Sequence, residues 1–146
     1  MMMKFHSALA LAAAATMLGS TALVAQESTG KRFNVTLDGA SEVPGPGDPD
    51  GSGTAMVRIN PGQQQLCYTL SVSDIQPASA AHIHEAPAGE AGPIVVDLKF
   101  TGTMNETCVK VDRKLAQEII RNPSDYYVNV HNSEFPAGAV RGQLSR

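Results

Sequence analysis

The chain has 146 residues, a formal net charge of −3, two cysteines, four histidines and no tryptophan. That length accommodates one domain with a modest core. The weakly acidic balance, without any basic cluster, argues against a nucleic-acid partner.

The first segment reads MMMKFHSALALAAAATMLGSTALVAQES. Lys4 precedes an apolar run from Ala8 to Leu18, and small residues follow. This is the layout of a secretory signal peptide. The run is too short and too alanine-rich for a membrane span, which needs about 20 apolar residues. An uncleaved anchor is the alternative. Cleavage fits after Ala22 or Ala25, and Ala25 is preferred. The expected organisation is a signal peptide at 1–25 and an exported domain at 26–146, periplasmic or secreted, with no stable membrane span after cleavage. Loss of Lys4 moves the net charge from −3 to −4.

The remainder alternates on a period of two, the mark of half-buried antiparallel strands. RFNVTLDG places Phe33, Val35 and Leu37 on one face, and GTAMVRIN does the same with Ala55, Val57 and Ile59. QLCYTLSVSDI places Leu66, Tyr68, Leu70 and Val72 on one side and Cys67 on the other. AAHIHE, PIVVDLKF, ETCVKV, DYYVNVH and AVRGQL continue the series between turns rich in Gly and Pro. Eight short strands of this kind predict a β-sandwich or a Greek-key barrel. The segment DRKLAQEIIRNP breaks the pattern, with Leu115, Ile119 and Ile120 at helical spacing. Asp112 suits an N-cap and Asn122-Pro123 a stop, which predicts one short helix over an open end. In an exported chain, Cys67 and Cys108 predict one disulfide.

The chemistry concentrates in AAHIHEAP. On a strand, His82 and His84 share one face, while Ala81 and Ile83 face the core. In DYYVNVH, Tyr126, Val128 and Val130 share the apolar face, and Tyr127, Asn129 and His131 share the other. If the two strands are neighbours, three imidazoles converge on the side away from the core. Imidazole suits copper and zinc. Copper binds more tightly in the Irving–Williams order, so copper is the expected metal and zinc the alternative. Glu85 and Glu134 follow the histidine strands as candidate oxygen ligands or hydrogen-bond partners of the ligands, and Asn129 is a candidate to orient an imidazole. Met56 and Met104 are soft donors whose ordinary role is packing. Arg141 reads either as a guide for a small anion or, preferably, as a salt-bridge partner holding the last strand.

The blocks LCYTLSVSDI, AAHIHEAPAGEAGPIVVDL and NPSDYYVNVHNSEFPAGAVRGQL, in this order, resemble the CHRD domain family, named from chordin and found also as small exported bacterial proteins. The resemblance runs from about Phe33 to Leu144. It implies an all-β, immunoglobulin-like Greek-key β-sandwich of about eight strands with one short helix. His82, His84 and His131 fall on the family motif. The chain carries no growth-factor-binding cysteine module, which argues against a signalling role like chordin's. It also lacks the long histidine set of copper-zinc superoxide dismutases, which argues against a bridged zinc site.

Two functions therefore stand at this point. One is an exported copper-binding domain with a three-histidine site, redox-active on small oxygen species in the manner of a superoxide dismutase. The other is a non-enzymatic extracellular structural or protein-interaction module. A two-fold homodimer that brings two histidine faces together is open on either reading.

Overall fold

A computed structural model of the chain describes residues 30–100 and 105–146. The expected signal peptide and Met104 lie outside the described residues. Eight strands form among the described residues: β1 Lys31–Asp38, β2 Ser52–Asn60, β3 Gln65–Ser73, β4 Ala78–Glu85, β5 Ile94–Leu98, β6 Thr107–Lys110, β7 Tyr126–Asn132 and β8 Val140–Gln143. One helix, α1 Arg113–Arg121, lies between β6 and β7 and is followed by a single 3-10 turn, Pro123–Asp125. Every strand segment expected from alternation is present. The burial of β1 alternates as read, with Phe33, Val35 and Leu37 buried and the residues between them exposed.

All eight strands belong to one antiparallel sheet in the order β5-β4-β7-β8-β1-β2-β3-β6. An immunoglobulin-like Greek-key sandwich would show two separate sheets packed face to face, and the pairing here is continuous. The join is β8. It pairs with β7 over four positions, Tyr127↔Gln143 to Val130↔Val140, and meets β1 at Asp38↔Arg141. Gly142 permits this approach, because a Cβ there would stand 2.1 Å from the carbonyl oxygen of Thr36. The sheet then curls toward a barrel. The Tyr68 hydroxyl on β3 donates to the carbonyl of Lys99, just past β5, at 2.6 Å, so the two ends of the strand order come close.

The inward faces of all these strands make one core. Leu37, Val57, Ile59, Leu66, Ile83, Val128, Val130 and Val140 are fully buried in it. Each such side chain contributes about 1.5–3 kcal/mol by leaving water. Helix α1 adds Ala116 and Ile119 to that core. Its first turn is capped by Asp112, whose Oδ1 accepts from the Lys114 and Leu115 N–H groups at 2.8 and 3.3 Å. It stops at Asn122, before Pro123, as the sequence indicates.

Cys67 and Cys108 form the expected disulfide across a sequence separation of 41 residues. They stand directly opposite each other on β3 and β6. Arg58 of β2 donates to Glu106 at 2.8 Å beside it. Among the described residues, no helix is long and apolar enough to cross a membrane.

Candidate metal centre

Strand β4 lies between β5 and β7. Its register with β7 sets Ala80 opposite His131, His82 opposite Asn129 and His84 opposite Tyr127. Residues directly opposite in an antiparallel pair share a face. His82, His84, Asn129, Tyr127 and His131 therefore project together from the side away from the core, while Ala81 and Ile83 are fully buried on the other. The parity read from the sequence holds, and the strand adjacency it needed is present. Ring centroids lie 5.6 Å apart for His82 and His84, 4.9 Å for His82 and His131, and 6.3 Å for His84 and His131. One nitrogen from each imidazole lies within 4.8 Å of the others.

Backbone carbonyls select which nitrogens face inward. The Nδ1–H of His84 donates to the Gly92 carbonyl at 2.8 Å, and the Nδ1–H of His131 donates to the Pro136 carbonyl at 3.1 Å. In their neutral forms both rings then present Nε2 as a lone pair. His131 Nε2 meets His82 Nδ1 at 3.1 Å. His84 Nε2 is buried and has no hydrogen-bond partner among the described residues. Such an orphan costs about 1–3 kcal/mol unless something satisfies it. Burial holds the pKa values of His82 and His131 below the ordinary histidine value; His84 acts in the same direction on both and His131 on His82, while the hydrogen bond to Pro136 opposes the shift at His131. Neutral rings are what metal ligation needs.

The donor set fits a copper or zinc ion: three imidazole nitrogens, two with the tautomer fixed by a carbonyl, and one buried lone pair unspent. Nitrogens about 2.0 Å from one tetrahedral ion stand about 3.3 Å apart. A closure of up to about 1.5 Å from the present 4.8 Å limit would seat the ion.

The other candidates are placed differently. Glu85 has the parity of Ala81 and Ile83, opposite Tyr126, so it leaves the strand on the face away from the histidines and is exposed. It is not a ligand here. Glu134 is exposed in the loop after β7, outside the histidine group; its own N–H donates to Asn132 Oδ1 at 3.1 Å. Asn129 joins the group, with Oδ1 3.1 Å from His131 Nε2. Met56 sits on β2, opposite Asn34 and Thr69, in the other half of the sheet. Arg141 requires the clearest correction. It is 1% exposed, so its guanidinium cannot make contact with an approaching anion. Its NH1 donates to the Glu90 carbonyl at 2.7 Å, and its NH2 donates to the Pro87 carbonyl at 3.0 Å and to Gln143 Oε1 at 3.2 Å. It ties the 86–93 loop to β8 through carbonyls, in place of the salt bridge the sequence suggested.

Tyr127 is the residue whose part the sequence left unread. Its ring stacks on His84 at 4.8 Å and 7° between planes, and the Arg141 guanidinium lies 3.4 Å from its centroid. The Gly92 N–H donates to its hydroxyl at 3.3 Å. Gly92 thus braces both His84 and Tyr127. No larger residue fits, because a Cβ at 92 would stand 1.9 Å from the Glu85 carbonyl oxygen. Parity placed Tyr127 on the histidine face, but nothing local foretold its register with His84. Asp97 of β5 stands opposite His82, exposed and 2.8 Å from Lys99. It opposes the lowering of the His82 pKa.

A search of curated proteins and of solved structures found no match. A family profile described as CHRD domain matches residues 33–144, and that span contains all three histidines, both cysteines and every strand except the first two residues of β1. The chain belongs to the CHRD domain family.

Proposed function

We propose that this protein is an exported copper-binding domain in which His82, His84 and His131 hold one ion. The observation that carries this reading is His84 Nε2, a buried lone pair without a partner, beside two more imidazoles kept neutral by their surroundings. Copper stands ahead of zinc because imidazole sites favour it in the Irving–Williams order. Export is read from the first 25 residues, and it agrees with the disulfide.

The chain's own residues would divide the work. Gly92 and Pro136 hold the two tautomers, Tyr127 fixes the plane of His84, and Asn129 lies against His131. Copper bound there supplies one-electron chemistry between Cu(I) and Cu(II). His82 and His131 are half-buried, which leaves room for a small oxygen species to reach the site. Superoxide is an anion, however, and the Arg141 guanidinium, buried against carbonyls, cannot contact it. Holding the metal is therefore the primary role in this proposal, and superoxide dismutation is an activity to be assayed on the loaded protein.

The test is a titration of the mature chain, purified without a histidine tag and stripped of metal. Cu(II), Cu(I) and Zn(II) are added to wild type and to His82→Ala/His84→Ala. One tight equivalent of copper, lost in the double variant, is the expected result. No tight binding of any ion would overturn the proposal and turn attention to a structural or protein-interaction role. Superoxide turnover no faster than that of free copper would leave a metal-binding protein that is not an enzyme.

A further inference from the structure

Glu42 lies in the loop between β1 and β2, far from the histidines in sequence, yet it is only 5% exposed. Its surroundings come from four places. The Val43 N–H donates to its Oε2 at 3.2 Å. Gly138 lies flat against the carboxyl, so close that a Cβ there would stand 2.2 Å from Oε1. Arg141 of β8 is the charged group that faces it, and the Asn129 amide of β7 reaches it. Glu42 Oε1 is buried without a hydrogen-bond partner among the described residues. Burial lifts the carboxyl to about 6, against the opposing pull of Val43, Arg141 and Asn129.

Asn129 touches both Glu42 and the metal centre, and it is 2% exposed. The two ends of its amide are chemically opposite: one accepts and the other donates. An ionised Glu42 accepts from the amide N–H, which turns Oδ1 toward His131. With its proton on Nδ1 facing Pro136, His131 then turns the Nε2 lone pair to that oxygen at 3.1 Å, an acceptor–acceptor contact that a cation beside them relieves. A protonated Glu42 donates instead. The amide reverses, its oxygen takes the Glu42 proton, and its N–H caps His131 Nε2, the lone pair a metal needs. His82 also meets that nitrogen, but His82 itself moves onto the ion when one binds, whereas Asn129 stays.

We propose that Glu42 is a positioning residue of the histidine site, acting through Asn129 to decide whether His131 Nε2 faces an amide oxygen or an amide N–H, and thereby how freely His131 takes a metal ion. The effect on metal rests on the function proposed above; the coupling of Glu42 to Asn129 belongs to the metal-free protein.

Two measurements separate these. The first follows the Asn129 side-chain amide and the Glu42 carboxyl by NMR in metal-free protein between pH 4.5 and 8. The Asn129 amide signals should step with the midpoint of the Glu42 carboxyl, and Glu42→Gln should abolish that step while the histidine titrations persist. An Asn129 amide that ignores the Glu42 midpoint in wild type overturns the proposal, and this arm needs no variant to fold. The second titrates Cu(II) and Zn(II) at pH 7.5. Glu42→Gln mimics the protonated state and should weaken binding about two- to tenfold, as for one hydrogen bond to be broken. The loss should vanish in an Asn129→Ala background. Equal affinity of Glu42→Gln and wild type overturns the effect on metal even if the site binds copper tightly. An Asn129 step with no metal binding in any variant supports the coupling and removes the metal function.

Discussion

The guanidinium of Arg141 donates to two carbonyls and one amide oxygen and lies on the ring of Tyr127, all within the protein. Removing it strands those acceptors and leaves Glu42 without the cation that faces it. Arg141→Ala should therefore lower stability by about 3 kcal/mol or more, measured by urea unfolding at neutral pH. Arg141→Lys should recover only part of this, because one ammonium cannot reproduce a planar fork. An effect confined to reaction rates, with stability unchanged, would restore the anion-guide role. Glu42 gives a second signature. Its folded-state pKa, about 6, is above the ordinary 4.5, so the folded state holds that proton more tightly than the unfolded state. The contribution to stability is fully present below 4.5 and is lost as pH rises through about 6, to the extent of about 2 kcal/mol. Glu42→Gln should flatten the wild-type decline between pH 4.5 and 7 in the same unfolding assay. Neither residue stood out in the sequence as a buried group. An Arg in a strand and a Glu in a loop rich in Gly and Pro are ordinarily solvated, and only neighbours from distant segments bury these two.

Strand β6 has four residues and lies at one end of the strand order, so it has a single hydrogen-bonded neighbour, β3. The disulfide compensates for that weak attachment by closing a loop of 41 residues. Reduction should cost about 3–4 kcal/mol in the chain-entropy account, read from a thermal melt with and without reductant. Helix α1 depends on Asp112 for its first turn. Asp112→Ala should cost about 1 kcal/mol, and Asp112→Asn much less, in equilibrium unfolding. These elements were the legible part of the chain. Strand alternation and helical spacing are local, as are the N-cap and the proline stop, and each survived into the structure at nearly its expected place. Glu85 shows how strict the local rule is: it follows His84 by one residue, and that single step puts it on the opposite face.

Eight strands around one core meet the expectation of an all-β domain with a short helix, but one continuous sheet curled toward a barrel replaces two stacked sheets. The difference arises at β8, which is hydrogen-bonded to β7 on one side and β1 on the other. If the histidines hold an ion only in the folded chain, copper at 100 times its dissociation constant should add about 2.7 kcal/mol of stability. A chelator should reverse the rise in melting temperature, and His82→Ala/His84→Ala should show none. A melting curve indifferent to copper and chelator would favour the structural role. The family resemblance, the strand and helix inventory, the cysteine pair and the common face of the three histidines could all be read from residues in chain order. Their causes act over neighbours in sequence: the pleat of a strand, the pitch of a helix, the chemistry of a side chain. The adjacency of β4 and β7, the burial of Arg141 and Glu42, the stack of Tyr127 on His84 and the unspent lone pair of His84 could not. Those arise where segments 40 or more residues apart pack together, and their energies come from long-range pairing and exclusion of water, which no local pattern encodes.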